Sequence, residues 1–274
     1  MIEKSYIGGD EQPFCRLKFA FSASGHRCVI FRRGPSKSVR MILWDLKKNE
    51  FSYGQWLNGP ISHFDISPKA DHVIYFVSYH KKRAPYLWVA LSKPPYFSAL
   101  SMWPISDAWG GACAFIDESS ICIEKGMYQA DLKLNTRFHL KNYNFVDKTN
   151  IWSWKMERDG WVAHNQLDRP KKHGVHQVEW RKQSPKMGLT LCWQLRRSAE
   201  PKHKYWLLES RGEIVLTDTD CADFHPDGRL AISQNGRLLM KDITNKGLLT
   251  TVEIADFNDQ WPENIIAPHS AKRW

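Results

Sequence analysis

Four clusters of cations could do chemistry in this chain. Arg32, Arg33 and Lys37 follow one apolar run, and His80, Lys81, Lys82 and Arg83 follow another. Arg169, Lys171, Lys172 and His173 make a third cluster, and Arg196, Arg197, Lys202 and Lys204 a fourth. Dense guanidinium and ammonium groups attract carboxylates and phosphates, and Arg in particular recognises them through paired hydrogen bonds. The 274-residue chain has a formal net charge of +10, and its pI is about 9.3. The excess is not uniform. Residues 141–211 hold fifteen Lys and Arg against seven Asp and Glu, whereas residues 212–274 hold six against ten. An acidic protein surface is the partner expected from this distribution, and nucleic acid bound through the same cations is the alternative.

Other chemistries find less support. His173 and His176 have a tempting spacing, but residues three apart on a strand point to opposite faces and cannot share a metal. Ser, His and Asp occur without a G-x-S-x-G elbow, and there is no Gly-rich phosphate loop. Asp65, close to His63, reads as a strand-end or turn residue. The six cysteines are scattered, with no C-x-x-C pair, and read as free thiols within apolar strands. A hydrolase or lyase would need carboxylates or histidines gathered on inner strands, and Ile151-Trp152-Ser153-Trp154 reads instead as apolar and aromatic. The expectation is a non-enzymatic protein with no cofactor and no metal.

The elements that must position these residues are short strands. Alternating or continuous apolar runs end in Gly, Pro, Asn or Asp, and no long segment has helical periodicity. A phrase recurs: an apolar strand, a tight turn of small or polar residues, then further strands. It appears at Phe21–Gly25, at Ile66–Pro68 and at Phe224–Gly228. The last apolar residues before these turns are Phe21, Ile66, Phe115, Met156 and Phe224, a spacing of 45, 49, 41 and 68 residues. A period of 40–50 residues with four strands per unit is the pattern of stacked blades. The expected units span about 15–57, 61–103, 109–145, 150–195 and 221–257, with a further hairpin over 204–218 and a strand over Asn150–Met156.

The chain resembles β-propellers of the WD40 or TolB-like kind over roughly residues 15–257. Phe224-x-Pro226-Asp227-Gly228 is similar to the turn between the first two strands of those blades. Trp44-Asp45 stands where the family's Trp-Asp dipeptide ends a third strand. One unit has that dipeptide. The resemblance implies an all-β propeller of five or six four-stranded blades, formed as one domain over 1–274.

In that frame the loops with Arg32, Arg33, Lys81, Lys82, Arg83, Arg169, Lys171, Lys172, Arg196, Arg197, Lys202 and Lys204 would emerge around one rim. The expected function is then a scaffold, an adaptor or an immunity-type neutralising protein docked on an acidic partner. A nucleic-acid-binding propeller is the alternative, and a channel-sited hydrolase or lyase the second alternative. A mean hydropathy of −0.50 and the lack of a long apolar run exclude membrane insertion through helices. The polar start of the chain leads to the expectation of a cytoplasmic protein. His269–Trp274 reads as a loose terminus.

Overall fold

The computed structural model describes residues 15–81, 84–105, 112–123, 137–141, 151–166, 176–185, 188–197, 202–209, 212–243 and 249–274. The fold is all-β, in five sheets laid down in chain order. The first sheet holds β1 (Arg16–Phe21), β2 (Arg27–Arg33), β3 (Ser38–Asp45) and β4 (Glu50–Asn58). The second holds β5 (Ile61–Ile66), β6 (Val73–Lys81), β7 (Ala84–Ser92) and β8 (Ala99–Pro104). The third holds β9 (Cys113–Phe115), β10 (Ser120–Ile123) and β11 (His139–Lys141). A helix, α1 (Ile151–Arg158), precedes the fourth sheet, which holds β12 (Trp161–Gln166), β13 (His176–Gln183), β14 (Thr190–Arg197), β15 (Lys202–Glu209) and β16 (Gly212–Leu216). The fifth holds β17 (Thr219–Phe224), β18 (Leu230–Gln234), β19 (Arg237–Ile243) and β20 (Leu249–Asp256).

The expected phrase is visible as geometry. Phe21, Ile66, Phe115 and Phe224 each end the first strand of a sheet. In the turns that follow, the Ser22 N–H donates to Arg27 O (2.8 Å), the Ser67 N–H to His72 O (2.9 Å) and the His225 N–H to Arg229 O (2.8 Å). Three residues after each of these donors, Gly25, Ala70 and Gly228 take φ of 71°, 55° and 93°. That left-handed conformation suits glycine and explains its recurrence here. The Trp44-Asp45 pair ends β3 as expected. The Asp45 carboxylate accepts the Lys47 and Lys48 N–H groups (3.0 Å each), and Trp44 Nε1 donates to Asn49 Oδ1 (3.0 Å).

The cores lie between successive sheets. Val29, Met41, Val73 and Tyr75 join the first sheet to the second, and Phe76, Val89, Phe115 and Ile121 join the second to the third. Ala114, Cys122 and Ile151 join the third to α1. Trp180, Leu191, Phe224 and Ile232 join the fourth to the fifth, and Leu17, Ile30, Leu238 and Phe257 join the fifth to the first. β1 touches both β5 and β17, and β5 touches β9. β9 in turn touches α1, α1 touches β12, and β15 touches β17.

Three expectations are corrected. Residues 151–158 form a helix, not a strand. The i,i+4 pairs Trp152 and Met156, Trp154 and Arg158, and Lys155 and Asp159 place three different chemistries on separate helix faces. Gly160, at φ 85°, follows the helix, and its N–H donates to Glu157 O (3.0 Å). The hairpin expected over 204–218 is present as β15 and β16, paired antiparallel, and it extends the fourth sheet to five strands. Arg196 therefore pairs with Lys202 across one sheet, not in a loop between blades. In the third sheet β11 runs parallel to β10 and sits beside it, and the third strand expected there, Gly126–Leu132, lies outside the described residues.

The C-terminus is tied down rather than loose. The Arg40 guanidinium donates to Gln260 Oε1 (3.2 Å) and Glu263 Oε1 (2.6 Å), and Gln55 Nε2 donates to Ile265 O (2.8 Å). Lys93 Nζ donates to Ser270 O (3.0 Å) and Arg273 O (2.6 Å). The Trp274 ring stacks on His72, centroids 6.1 Å apart. The tail thus crosses the first two sheets as a strap.

Candidate ligand cavity

The first strands of the sheets, α1 and the inner face of the fourth sheet enclose a cavity of about 1060 Å³. Its mouth includes the adjacent turns at Ser22–Gly25, Pro68 and Pro226. The turns are held side by side: the Ser24 N–H donates to Pro68 O (2.9 Å), and a Cβ on Gly25 would lie 3.2 Å from the Pro226 ring.

One wall is built by ion pairs. Asp65, on β5 with its side chain 1% exposed, accepts two hydrogen bonds from Arg158 of α1: Nη1 to Oδ2 at 2.7 Å and Nη2 to Oδ1 at 2.9 Å. It also accepts the Phe115 N–H at 2.8 Å. Arg158 further donates to Phe115 O (2.6 Å) and to Asp159 Oδ1, and Lys155 Nζ reaches Asp159 Oδ2 at 2.6 Å. Two cations thus answer two carboxylates. Despite burial, the hydrogen bonds and charges of Asp65 and Asp159 raise the Arg158 pKa, while Lys155 and Arg158 hold Asp159 below the usual carboxylate range.

The opposite wall is β17 with β13. Lys182 Nζ donates to Asp223 Oδ1 at 2.6 Å, and the Phe224 N–H donates to the same oxygen at 2.7 Å. Burial outweighs these contacts and raises the Asp223 pKa. Burial also pushes Asp220 up to about 6, although Arg16 and the Leu17 N–H oppose the shift. The Arg16 guanidinium is only loosely placed, 3.9 Å from Asp220 Oδ1.

Lys18, on β1, completes the polar lining. It is reached by cavity solvent yet surrounded by protein, and this desolvation lowers its pKa. Among the described residues it has no hydrogen-bond or ion-pair partner. The remaining walls are flat and apolar. Phe21, Phe64, Trp152, Trp193 and Tyr205 face the cavity, with Trp152 and Trp193 centroids 5.3 Å apart.

The structure redistributes the cations expected on a rim. Arg32 is 0% exposed: its Nε donates to Phe257 O (3.0 Å), Nη2 to Asn258 O (3.1 Å) and Nη1 to Gly34 O. Its guanidinium also lies 5.2 Å from the Trp56 ring centroid. This is a correction, because a guanidinium spent on backbone carbonyls in the core is closed to any partner. Arg33 is exposed, and so is Lys204, whose Nζ lies 5.5 Å from the Trp206 ring centroid. Lys81 ends β6, Arg196 and Arg197 end β14, and Lys202 begins β15, but their side chains are not among the described atoms. Lys82, Arg83, Arg169, Lys171, Lys172 and His173 lie outside the described residues.

Sequence reasoning missed Asp65, Arg158 and Lys18. A signal for Asp65 existed. A lone carboxylate between Phe64 and Ile66 in a buried run requires a cationic partner. The partner was hidden because Asn150–Met156 read as a strand, with Arg158 in the turn after it. The inner strands are also not apolar throughout, since β5 and β17 carry Asp65, Asp220 and Asp223.

No family model and no curated protein matches the chain. Among solved structures, the chain is similar to AtxE2 isopeptidase, as an S527A variant with astexin3-dC4 bound and in the apo form. The identities are 11% and 12%, and the TM-scores 0.26 and 0.27. The alignments cover 87% and 88% of this chain but 45% and 44% of those chains, so it spans less than half their length.

Proposed function

We propose that this chain is a five-bladed β-propeller that works by binding, with its ligand held in the central cavity. Two features support the propeller reading: neighbour contacts run from sheet to sheet and return to β1, and three turns of the same form share one mouth. In this arrangement α1 fills the gap between the third and fourth blades. The observation that carries the function is the cavity itself. Its volume of about 1060 Å³, at the upper end for small-molecule sites, and its aromatic walls set between charged groups suit a small-molecule ligand.

Binding is favoured over hydrolysis by how the carboxylates are spent. Three of the four carboxylates that line the cavity, Asp65, Asp159 and Asp223, are each answered by a cation within 2.7 Å, and the fourth, Asp220, lies 3.9 Å from Arg16. A general base needs a carboxylate free to take a proton from substrate. The neutralised pairs instead build a rigid wall.

The test is titration with the neutral fluorophore N-phenyl-1-naphthylamine. Saturable one-to-one binding that quenches tryptophan emission is expected from Trp152 and Trp193. Ser62 is an exposed bulge residue of β5 that lines the cavity. Ser62→Trp should fill the space and abolish binding while the melting temperature holds. Absence of a saturable site, or binding unchanged in that variant, would overturn the reading.

A further inference from the structure

We infer that the cavity takes a small organic anion with a flat apolar body, and that Lys18 is its anchor. The inference rests on the cavity being a ligand site and adds the class of ligand. Four cations line the space: Lys18, Lys155, Arg158 and Lys182. Three of them are committed. Lys155 and Arg158 are held by Asp65 and Asp159, and Lys182 by Asp223, at 2.6 to 2.9 Å. Lys18 alone of the four has no partner among the described residues.

The Lys18 ammonium is reached by solvent and is held in no hydrogen bond among the described residues, so it is open to an incoming carboxylate or sulfonate. Lys18 stands on β1 across from Phe31, in a strand whose other cavity-lining residues include Phe19, Ala20 and Phe21. An anion set on Lys18 therefore has apolar wall beside it. Trp152 and Trp193 on the far side provide faces for a planar ring. The charge of Asp220 attracts Lys18, but no hydrogen bond or ion pair joins the two. Its carboxylate is turned to Arg16 at 3.9 Å and to the Leu17 N–H. The ammonium of Lys18 offers three donors to an oxyanion.

Two probes of nearly the same shape separate this inference from the cavity reading. 8-Anilinonaphthalene-1-sulfonate is anionic, and N-phenyl-1-naphthylamine is neutral. The wild-type chain should bind both at one site. Lys18→Gln should weaken the anionic probe at least tenfold and leave the neutral probe unchanged, which also shows that the variant is folded. Lys18→Arg, which keeps the charge, should restore much of the anionic binding. If neither probe binds the wild type, the cavity reading falls and this inference with it. If the neutral probe binds and the anionic one does not, or if Lys18→Gln binds both as the wild type does, the cavity stands and the anion anchor is wrong.

Discussion

Arg158 grips Asp65 with both guanidinium nitrogens, at 2.7 and 2.9 Å, across 93 residues of chain. The pair fastens α1 to β5 and, through the Phe115 N–H and C=O, to β9. It links three elements that share no hydrogen-bonded ladder. Because Asp65 is buried, the pair matters most when it is broken. Arg158→Met should cost about 3 kcal/mol, since it leaves the buried carboxylate with only the Phe115 N–H and Lys155 at 3.7 Å. Asp65→Leu with Arg158→Met should cost less than the sum of the two single changes. Urea midpoints for the four proteins of this cycle check both statements.

Asp220 imposes a pH dependence of the opposite sign to a salt-bridged carboxylate. Its pKa rises from 3.8 to about 6 in the folded protein. Between those values the folded state binds more protons than the unfolded one, so this group's contribution to stability falls as pH rises through the window. A shift of this size corresponds to about 3 kcal/mol at 1.36 kcal/mol per unit. Asp220→Asn should therefore be more stable than the wild type by about 2–3 kcal/mol at pH 7, with the difference closing by pH 4. Denaturant titrations at the two pH values read the effect. Asp227, held down to about 2 by Arg229 and His225, acts in the usual direction at lower pH and does not mask it.

Arg32 joins the first sheet to the start of the C-terminal strap through Phe257 O and Asn258 O. Arg32→Gln cannot reach all three carbonyls. A loss of about 2–4 kcal/mol is expected from carbonyls left buried without donors. Amide exchange should quicken in residues 257–274 before it quickens in β5–β8. A surface role for Arg32 would instead leave stability and exchange unchanged.

Gly54 marks a close crossing between β4 and the loop after β7. A Cβ there would stand 1.7 Å from Pro95 O, and the adjacent Gln55 N–H donates to that same oxygen at 3.1 Å. Backbone on both sides leaves no flexible atom to yield. Gly54→Ala should lower the melting temperature by 10 °C or more, corresponding to roughly 3 kcal/mol or more of overpacking. Ser52→Ala, at an exposed position on the same strand, should leave it nearly unchanged.

The strand-turn-strand phrase was legible in the residues because its chemistry is local. An apolar run closes at Phe21, Ile66 or Phe224, and the turn that follows holds a residue at positive φ. The same holds for Trp44-Asp45, whose side chains cap the turn directly after them. All-β character and the order of the strands follow from such short-range rules. The helix at Ile151–Arg158 escaped them. Its eight residues mix aromatic and charged side chains, so neither periodicity dominates, and its helical form is bound up with partners on β5, β9 and β12.

What the tertiary structure alone decided is which charges are spent. Nothing local distinguishes Arg32, buried on the carbonyls of Phe257 and Asn258, from its neighbour Arg33, which faces solvent. The difference arises because the strap returns more than 220 residues later to lie against the first sheet. Similarly, Lys18 is one of many cations along the chain, and only the closing of β1, β5, β17 and α1 around a common space makes it line that space with no hydrogen bond or ion pair among the described residues. Pairing of charges depends on contacts between distant segments, and burial sets the energy of each pairing. Neither can be read from the order of residues.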